Sequence, residues 1–225
     1  MTEILQHVSK FNDYLKNITS HLDGVASLAL RLILGPVLII SGWEKLTGQN
    51  YFVSILDSFP FPFNILPPEL SWQMSIWIEL IGGILLLVGF AVRWISLPLM
   101  VMMFVAGYSV HLKNGWTAIA PSFPSPVCVQ GTVEHDEAGP FKKFVECYTV
   151  NERTIEASRR LAEAKAILRE HGDYRHLNGS GAIVKLNNGI EFAATYFVML
   201  LALLIIGGGR YFSTDYWLAR KFRID

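Results

Sequence analysis

VASLALRLILGPVLIISGWEKL, residues 25–46, decides the fold. A helix needs about 20 apolar residues to cross roughly 30 Å of hydrocarbon, and this run supplies them. Its charges are Arg31 near the start and Glu44 and Lys45 at the end. Residues 72–90, 94–112 and 189–209 have the same character. A backbone in lipid finds no water to bond, so each stretch reads as a helix. The fold class expected is an all-α membrane protein, a bundle of four transmembrane helices with a long outer loop between the third and the fourth. Only Ala91, Val92 and Arg93 separate spans two and three, which predicts a tight helical hairpin.

The whole chain agrees with this reading. Of its 225 residues 52% are hydrophobic, and the mean hydropathy is +0.35, more than a soluble core of that size needs. The lipid bilayer is therefore the first partner. Lys and Arg number 19, as do Asp and Glu, so no basic surface is available and nucleic acid is excluded as a partner. No continuous apolar h-region precedes residue 25, so the first span is expected to act as the insertion signal. Ahead of it Ile4, Val8, Phe11, Leu15, Ile18 and Leu22 form one helical stripe. That stripe predicts an amphipathic helix lying on the membrane surface, with a coiled-coil seam as the rival reading. The division expected is 1–24 interfacial helix, 25–112 spans one to three, 113–188 extracytoplasmic insertion, and 189–225 fourth span and tail.

Cytoplasmic segments retain positive charge near span ends. Residues 47–71 carry no Lys or Arg, whereas the short hairpin turn holds Arg93 and the tail holds Arg210, Arg220, Lys221 and Arg223. Both termini read as cytoplasmic, in a bacterial inner membrane. The first outer loop interleaves Pro60, Pro62, Pro67 and Pro68 with Phe59, Phe61 and Phe63, which excludes an α-helix there. In the long loop, residues 151–170 read as a charged helix with Ile155, Leu161 and Leu168 on its narrower apolar side, and a short hairpin is expected around 182–186.

Ionisable groups within spans are costly unless they face the interior and find partners. Lys45, Glu79, His111 and Glu191 all fall toward the outer half, and the functional reading is that they converge as a polar pocket able to move protons or bind a headgroup. The structural reading is that Glu44, Lys45 and Glu191 are wetted interfacial residues, with Glu191 favoured by the helix dipole three residues after a capping Asn188. Glu79 lies too deep for that. Arg31, in the inner half, has no evident partner at its own level and is expected to snorkel inward; it is the one weak candidate for cofactor binding.

Cys128 and Cys147, the only cysteines, fall in the outer loop. A structural disulfide is the leading reading in an oxidising compartment, and a reducible pair the alternative. His135, His171 and His176 are scattered, and no metal site of the chain's own is predicted. Gly35 with Gly42, and Gly82 with Gly89, are spaced to let helices approach closely. Met100, Met102 and Met103 point different ways on a helix and read as packing.

Taken together, Arg31-x3-Gly35-x6-Gly42-x2-Lys45-Leu46, Glu79-x2-Gly82-Gly83-x5-Gly89, His111, Glu191, and Gly207-Gly208-Gly209-Arg210-Tyr211-Phe212-Ser213-x-Asp215 resemble the DoxX family. The likeness covers roughly 25–112 and 188–220, and the insertion between spans three and four departs from the usual short chain. The resemblance implies a four-helix membrane bundle. It also implies a setting: some relatives look like the small membrane subunit of thiosulfate:quinone oxidoreductase, others accompany thiol handling or oxidative stress, and others the maturation of copper-binding peptides. The expected function is a membrane subunit in a redox or sulfur/copper-linked pathway. A quinone headgroup or protons would be handled in the pocket and a soluble protein partner would dock on the loop. The alternatives are a non-catalytic scaffold, or an export or docking factor for a small metal-binding peptide, with copper as its metal; a homo-oligomer is left open.

Overall fold

A computed structural model of the chain describes residues 2–20 and 22–222. Arg223 of the basic tail lies outside the described residues, as do the side chains of Ile4, Val8, Leu15 and Ile18 in the N-terminal stripe. The order is α1 (Thr2–Ser20), α2 (Asp23–Thr47), α3 (Pro68–Val88), α4 (Val92–Ala106), α5 (Val133–Glu137), α6 (Pro140–Cys147), α7 (Glu152–His171), α8 (Tyr174–Leu177), α9 (Glu191–Ile206) and α10 (Thr214–Phe222). Among the described residues there is no strand. The protein is all-helical. Three helical segments are long and apolar enough to cross a membrane: 24–47, 68–88, and 92–114 including the turns that continue α4. α9 is shorter, at 16 residues, and equally apolar.

The chain divides into two compact units. The first comprises residues 1–56, 61–103 and 196–225. Its core is fully buried Leu34, Leu38, Leu86, Val92, Leu99, Leu200 and Leu203, with Met100 and Met103 packed against them. Both methionines serve packing. The outward faces of the same helices stay apolar: Leu32, Ile33 and Ile40 of α2, Ile81 and Ile84 of α3 and Leu97 of α4 are about half exposed. Inside, by contrast, lie Ser27, Arg31, Ser75, Glu79 and Ser96, all nearly inaccessible. Apolar outside and polar inside reverses the soluble pattern and is what lipid as solvent demands.

Close packing of α2 on α3 depends on small residues. A Cβ on Gly35 would stand 2.5 Å from Leu87, one on Gly42 2.8 Å from Leu80, and one on Gly83 2.8 Å from the Gly35 carbonyl. Gly35 and Gly42 act as the pair expected. Gly82 and Gly89 do not: Gly82 faces Leu99 and Ile95 of α4, and Gly89 ends α3 in the left-handed conformation, with φ +70°. The α3–α4 hairpin is as tight as predicted, turning over residues 89–91.

The prolines of residues 47–67 do exclude an α-helix, and the backbone adopts three single 3₁₀ turns instead, Phe52–Ser54, Leu56–Ser58 and Phe63–Ile65. Tyr51 and Phe52 pack edge-on against Trp72 at the start of α3, both with ring centroids 5.0 Å away.

The second unit comprises residues 57–60 and 104–195. α7 is the helix expected over 151–170, capped by the Asn151 side chain on the Thr154 N–H, with its own Leu161 buried. No hairpin forms at 182–186. Leu186 pairs across to Ile119 in a single antiparallel bridge, because the Ala120 N–H donates to the Lys185 carbonyl. The chain 187–191 then runs along 115–118, its amides donating to the carbonyls of Gly115, Trp116, Thr117 and Ala118. Gly189 is required there, since a Cβ would lie 2.3 Å from the Thr117 oxygen. After α4 the helix widens into a π turn over Gly107–His111. Cys128 and Cys147 are joined, Sγ to Sγ 2.04 Å, tying the turn at 126–128 to α6.

Candidate functional site

One turn of α2 and one turn of α3 face each other, with Ser41 and Lys45 on the first and Ser75 and Glu79 on the second. Gly42 allows this, because Leu80 and the Glu79 Cβ fill the space its side chain would occupy. Glu79 is 3% exposed and Lys45 15%. The Lys45 ammonium donates to Glu79 Oε1 at 2.6 Å and to Ser75 Oγ at 2.8 Å, and Ser41 Oγ donates to Glu79 Oε2 at 3.0 Å. Each carboxylate oxygen therefore has a partner. A charge-assisted pair of this geometry offsets the cost of removing two ions from water. Tyr51 stands close enough to feel Glu79: burial, and then the Glu79 charge, push its phenol above the usual value. Its ring packs edge-on to Trp72. Glu44, one residue before Lys45 on α2, is exposed.

Of the four residues expected to converge, the structure brings Lys45 and Glu79 together. His111 and Glu191 find partners within the second unit. His111 Nδ1 meets the Asn188 carbonyl at 3.0 Å, and Asn114 Nδ2 donates to the same oxygen. Asn188 does not cap α9; it sits in the left-handed region with φ +59° and serves through its carbonyl. The Glu191 carboxylate accepts the Ala118 N–H at 2.9 Å, so it fastens the start of α9 to the preceding loop.

Arg31 does not snorkel. Its side chain is fully buried, and it donates through Nη1 to the carbonyls of Leu86 and Leu87 and through Nη2 to those of Gly208 and Phe212. The last carbonyls of a helix have no partners of their own, and a guanidinium placed there satisfies several at once while meeting the negative end of the helix dipole. Asp215 completes the arrangement from the other side, accepting the N–H groups of Ala91 at 2.7 Å and Val92 at 3.0 Å at the start of α4. Neither role carries a residue signature, because the groups bound are backbone atoms. The glycines of 207–209 were the available signal: a Cβ on Gly209 would stand 2.7 Å from the Gly24 Cα, so this turn lies directly on the start of α2.

This polar set, with Arg31, Lys45 and Glu79 on α2 and α3, falls within the part of the chain, residues 26–112, that matches the DoxX family model. An "Uncharacterized protein" of Haemophilus influenzae is 38% identical over 104 residues, which cover 46% of this chain and 69% of that protein. The chain belongs to the DoxX family. With three apolar spanning-length helices it is a multi-pass membrane protein, and its DoxX region carries both the Lys45–Glu79 pair and the Arg31 plug. No solved structure matches it.

Proposed function

We propose that this DoxX protein is a plasma-membrane subunit of a redox or sulfur/copper-linked pathway, in which the Lys45–Glu79 pair receives a quinone headgroup and handles its protons. The observation that carries the reading is the ion pair itself, buried between two spanning helices, with Tyr51 near enough to feel the Glu79 charge and packed edge-on to Trp72. An ionisable group at membrane depth is by default a sign of function, and its burial in a pair is weak evidence for stability. A quinone carbonyl accepts hydrogen bonds, and the Lys45 ammonium and the raised Tyr51 phenol are donors for it; the neighbouring indole suits a flat ring. On this reading α9 is the fourth span, its 16 residues covering about 24 Å. Both termini are cytoplasmic, α1 lies along the inner surface, and a soluble partner docks on residues 113–188, where Phe141, Phe144 and Tyr148 of the α6 region are largely exposed. The partner supplies the electrons, from a dithiol in the sulfur setting. Cys128–Cys147 is then a structural bridge.

A second reading has its own support. Every oxygen of Glu79 is already bonded within the bundle, which is what an inert scaffold needs. In that case the loop unit is the working part, docking a small copper-binding peptide that brings its own ligands, since no group of three metal-binding side chains occurs among the described residues. Titration of the detergent-purified protein with a ubiquinone analogue and with a copper-loaded peptide separates the two. Quinone binding that disappears in Glu79→Gln supports the bundle site. Peptide binding, unchanged in Glu79→Gln while quinone fails to bind, moves function to the loop.

A further inference from the structure

At the end of the first unit that carries the α3–α4 turn, a cleft of about 420 Å³ opens beside the C-terminus of α9. Arg93, Trp94, Gly207, Gly208, Arg210 and Asp215 are among the residues that line it. Arg93 is exposed, and among the described residues its guanidinium has one partner, the Ile205 carbonyl at 3.2 Å. A guanidinium carries five N–H donors, so donors remain beyond the one held by Ile205. The glycines shape the floor. Gly207 and Gly209 have φ +74° and +77°, and the lack of side chains there leaves this part of the cleft as bare backbone, with the Gly207 N–H itself donated to the Leu203 carbonyl. A Cβ on Gly207 would come within 3.0 Å of Arg93 Nε, so the glycine is also what lets the guanidinium lie along the turn. Asp215 does not cancel the charge, because its two oxygens are held by the Ala91 and Val92 amides and it faces the buried Arg31.

We propose that this cleft binds the phosphate of an anionic phospholipid. The shared chemistry is a phosphate oxyanion, and the surroundings select the lipid: Trp94 is 79% exposed, and Ile205 and Ile206 present bare apolar surface beside the cleft, which an acyl chain covers and a free anion does not. Tryptophan beside arginine at the end of a spanning helix is the pattern of a headgroup-level anchor.

Native mass spectrometry of the detergent-purified protein, titrated with phosphatidylglycerol, phosphatidylcholine and inorganic phosphate, tests the proposal. The expected result is preference for phosphatidylglycerol on the order of 10-fold, lowered roughly 5-fold in Arg93→Gln and retained in Arg93→Lys and in the tail variant Arg220→Gln/Lys221→Gln. Retention in Arg93→Lys shows that the loss is of charge and not of folding. Equal preference in wild type and Arg93→Gln overturns the site, as does an equal loss in the tail variant, which would indicate diffuse attraction. Displacement of the lipid by inorganic phosphate overturns the lipid assignment in favour of a free-anion site, and no preference over phosphatidylcholine overturns the anionic-lipid site itself.

Discussion

Lys45 Nζ lies 2.6 Å from Glu79 Oε1 across the α2–α3 interface, in a bundle whose outer faces are apolar. Removing one ion leaves the other buried and unpaired. Lys45→Met is expected to destabilise the protein by about 3 kcal/mol, and Lys45→Met/Glu79→Gln to recover most of that loss. Thermal unfolding of the two variants in detergent checks the coupling; additive losses would show that the two side chains do not act as a pair.

The Tyr51 phenol titrates above its usual value because of burial first and the Glu79 charge second. Its proton is held more tightly folded than unfolded. The stability this contributes is complete below the unfolded value near pH 10 and is lost as pH rises through the folded one. Glu79→Gln removes the second cause, so the tyrosinate absorbance of Tyr51, isolated by difference from Tyr51→Phe, is expected to rise at lower pH in that variant than in wild type. An unmoved titration would mean that Glu79 does not act on Tyr51.

Arg31 holds four carbonyls, two at the end of α3 and two in the turn after α9. Arg31→Lys keeps the charge but cannot span them, so it is expected to lose several kcal/mol, close to Arg31→Leu. Gly89→Ala strains a left-handed residue and drives a Cβ to 2.5 Å from Arg31 Nη1, and is expected to be comparably damaging. Folded yield and unfolding temperature report both; near-native behaviour of Arg31→Lys would show that charge alone matters there.

The bridge between Cys128 and Cys147 encloses a loop of sequence separation 19. Cross-linking a loop of that length contributes about 3 kcal/mol by restricting the unfolded chain. Cys128→Ser is therefore expected to make residues 126–147 a preferred site of limited proteolysis, while helices α2 and α3 stay protected. Unchanged cleavage would show that the loop is ordered without the bridge.

Much of this was legible in the residues because apolar length and turn chemistry are local properties. The runs from 25–46 and 72–90 are α2 and α3 to within a few residues, Asn151 announces α7, and Gly35 and Gly42 announce the close approach of α2 to α3. The Lys45–Glu79 contact could be anticipated from matching depth. What stayed hidden involves backbone partners and distant pairing. Arg31 binds carbonyls exposed by helix ends, Glu191 binds an amide of the loop, and Leu186 crosses to Ile119. Amides and carbonyls look alike at every position, so no residue type advertises them.

The central claim is tested most directly by the dissociation constant of a ubiquinone analogue for Lys45→Met/Glu79→Gln, measured beside its unfolding temperature. The account predicts affinity reduced by at least about 10-fold, the worth of one lost charge-assisted hydrogen bond, at near-native thermal stability. Affinity unchanged from wild type in a stably folded double variant would contradict it and leave the ion pair as a device for ordering the bundle.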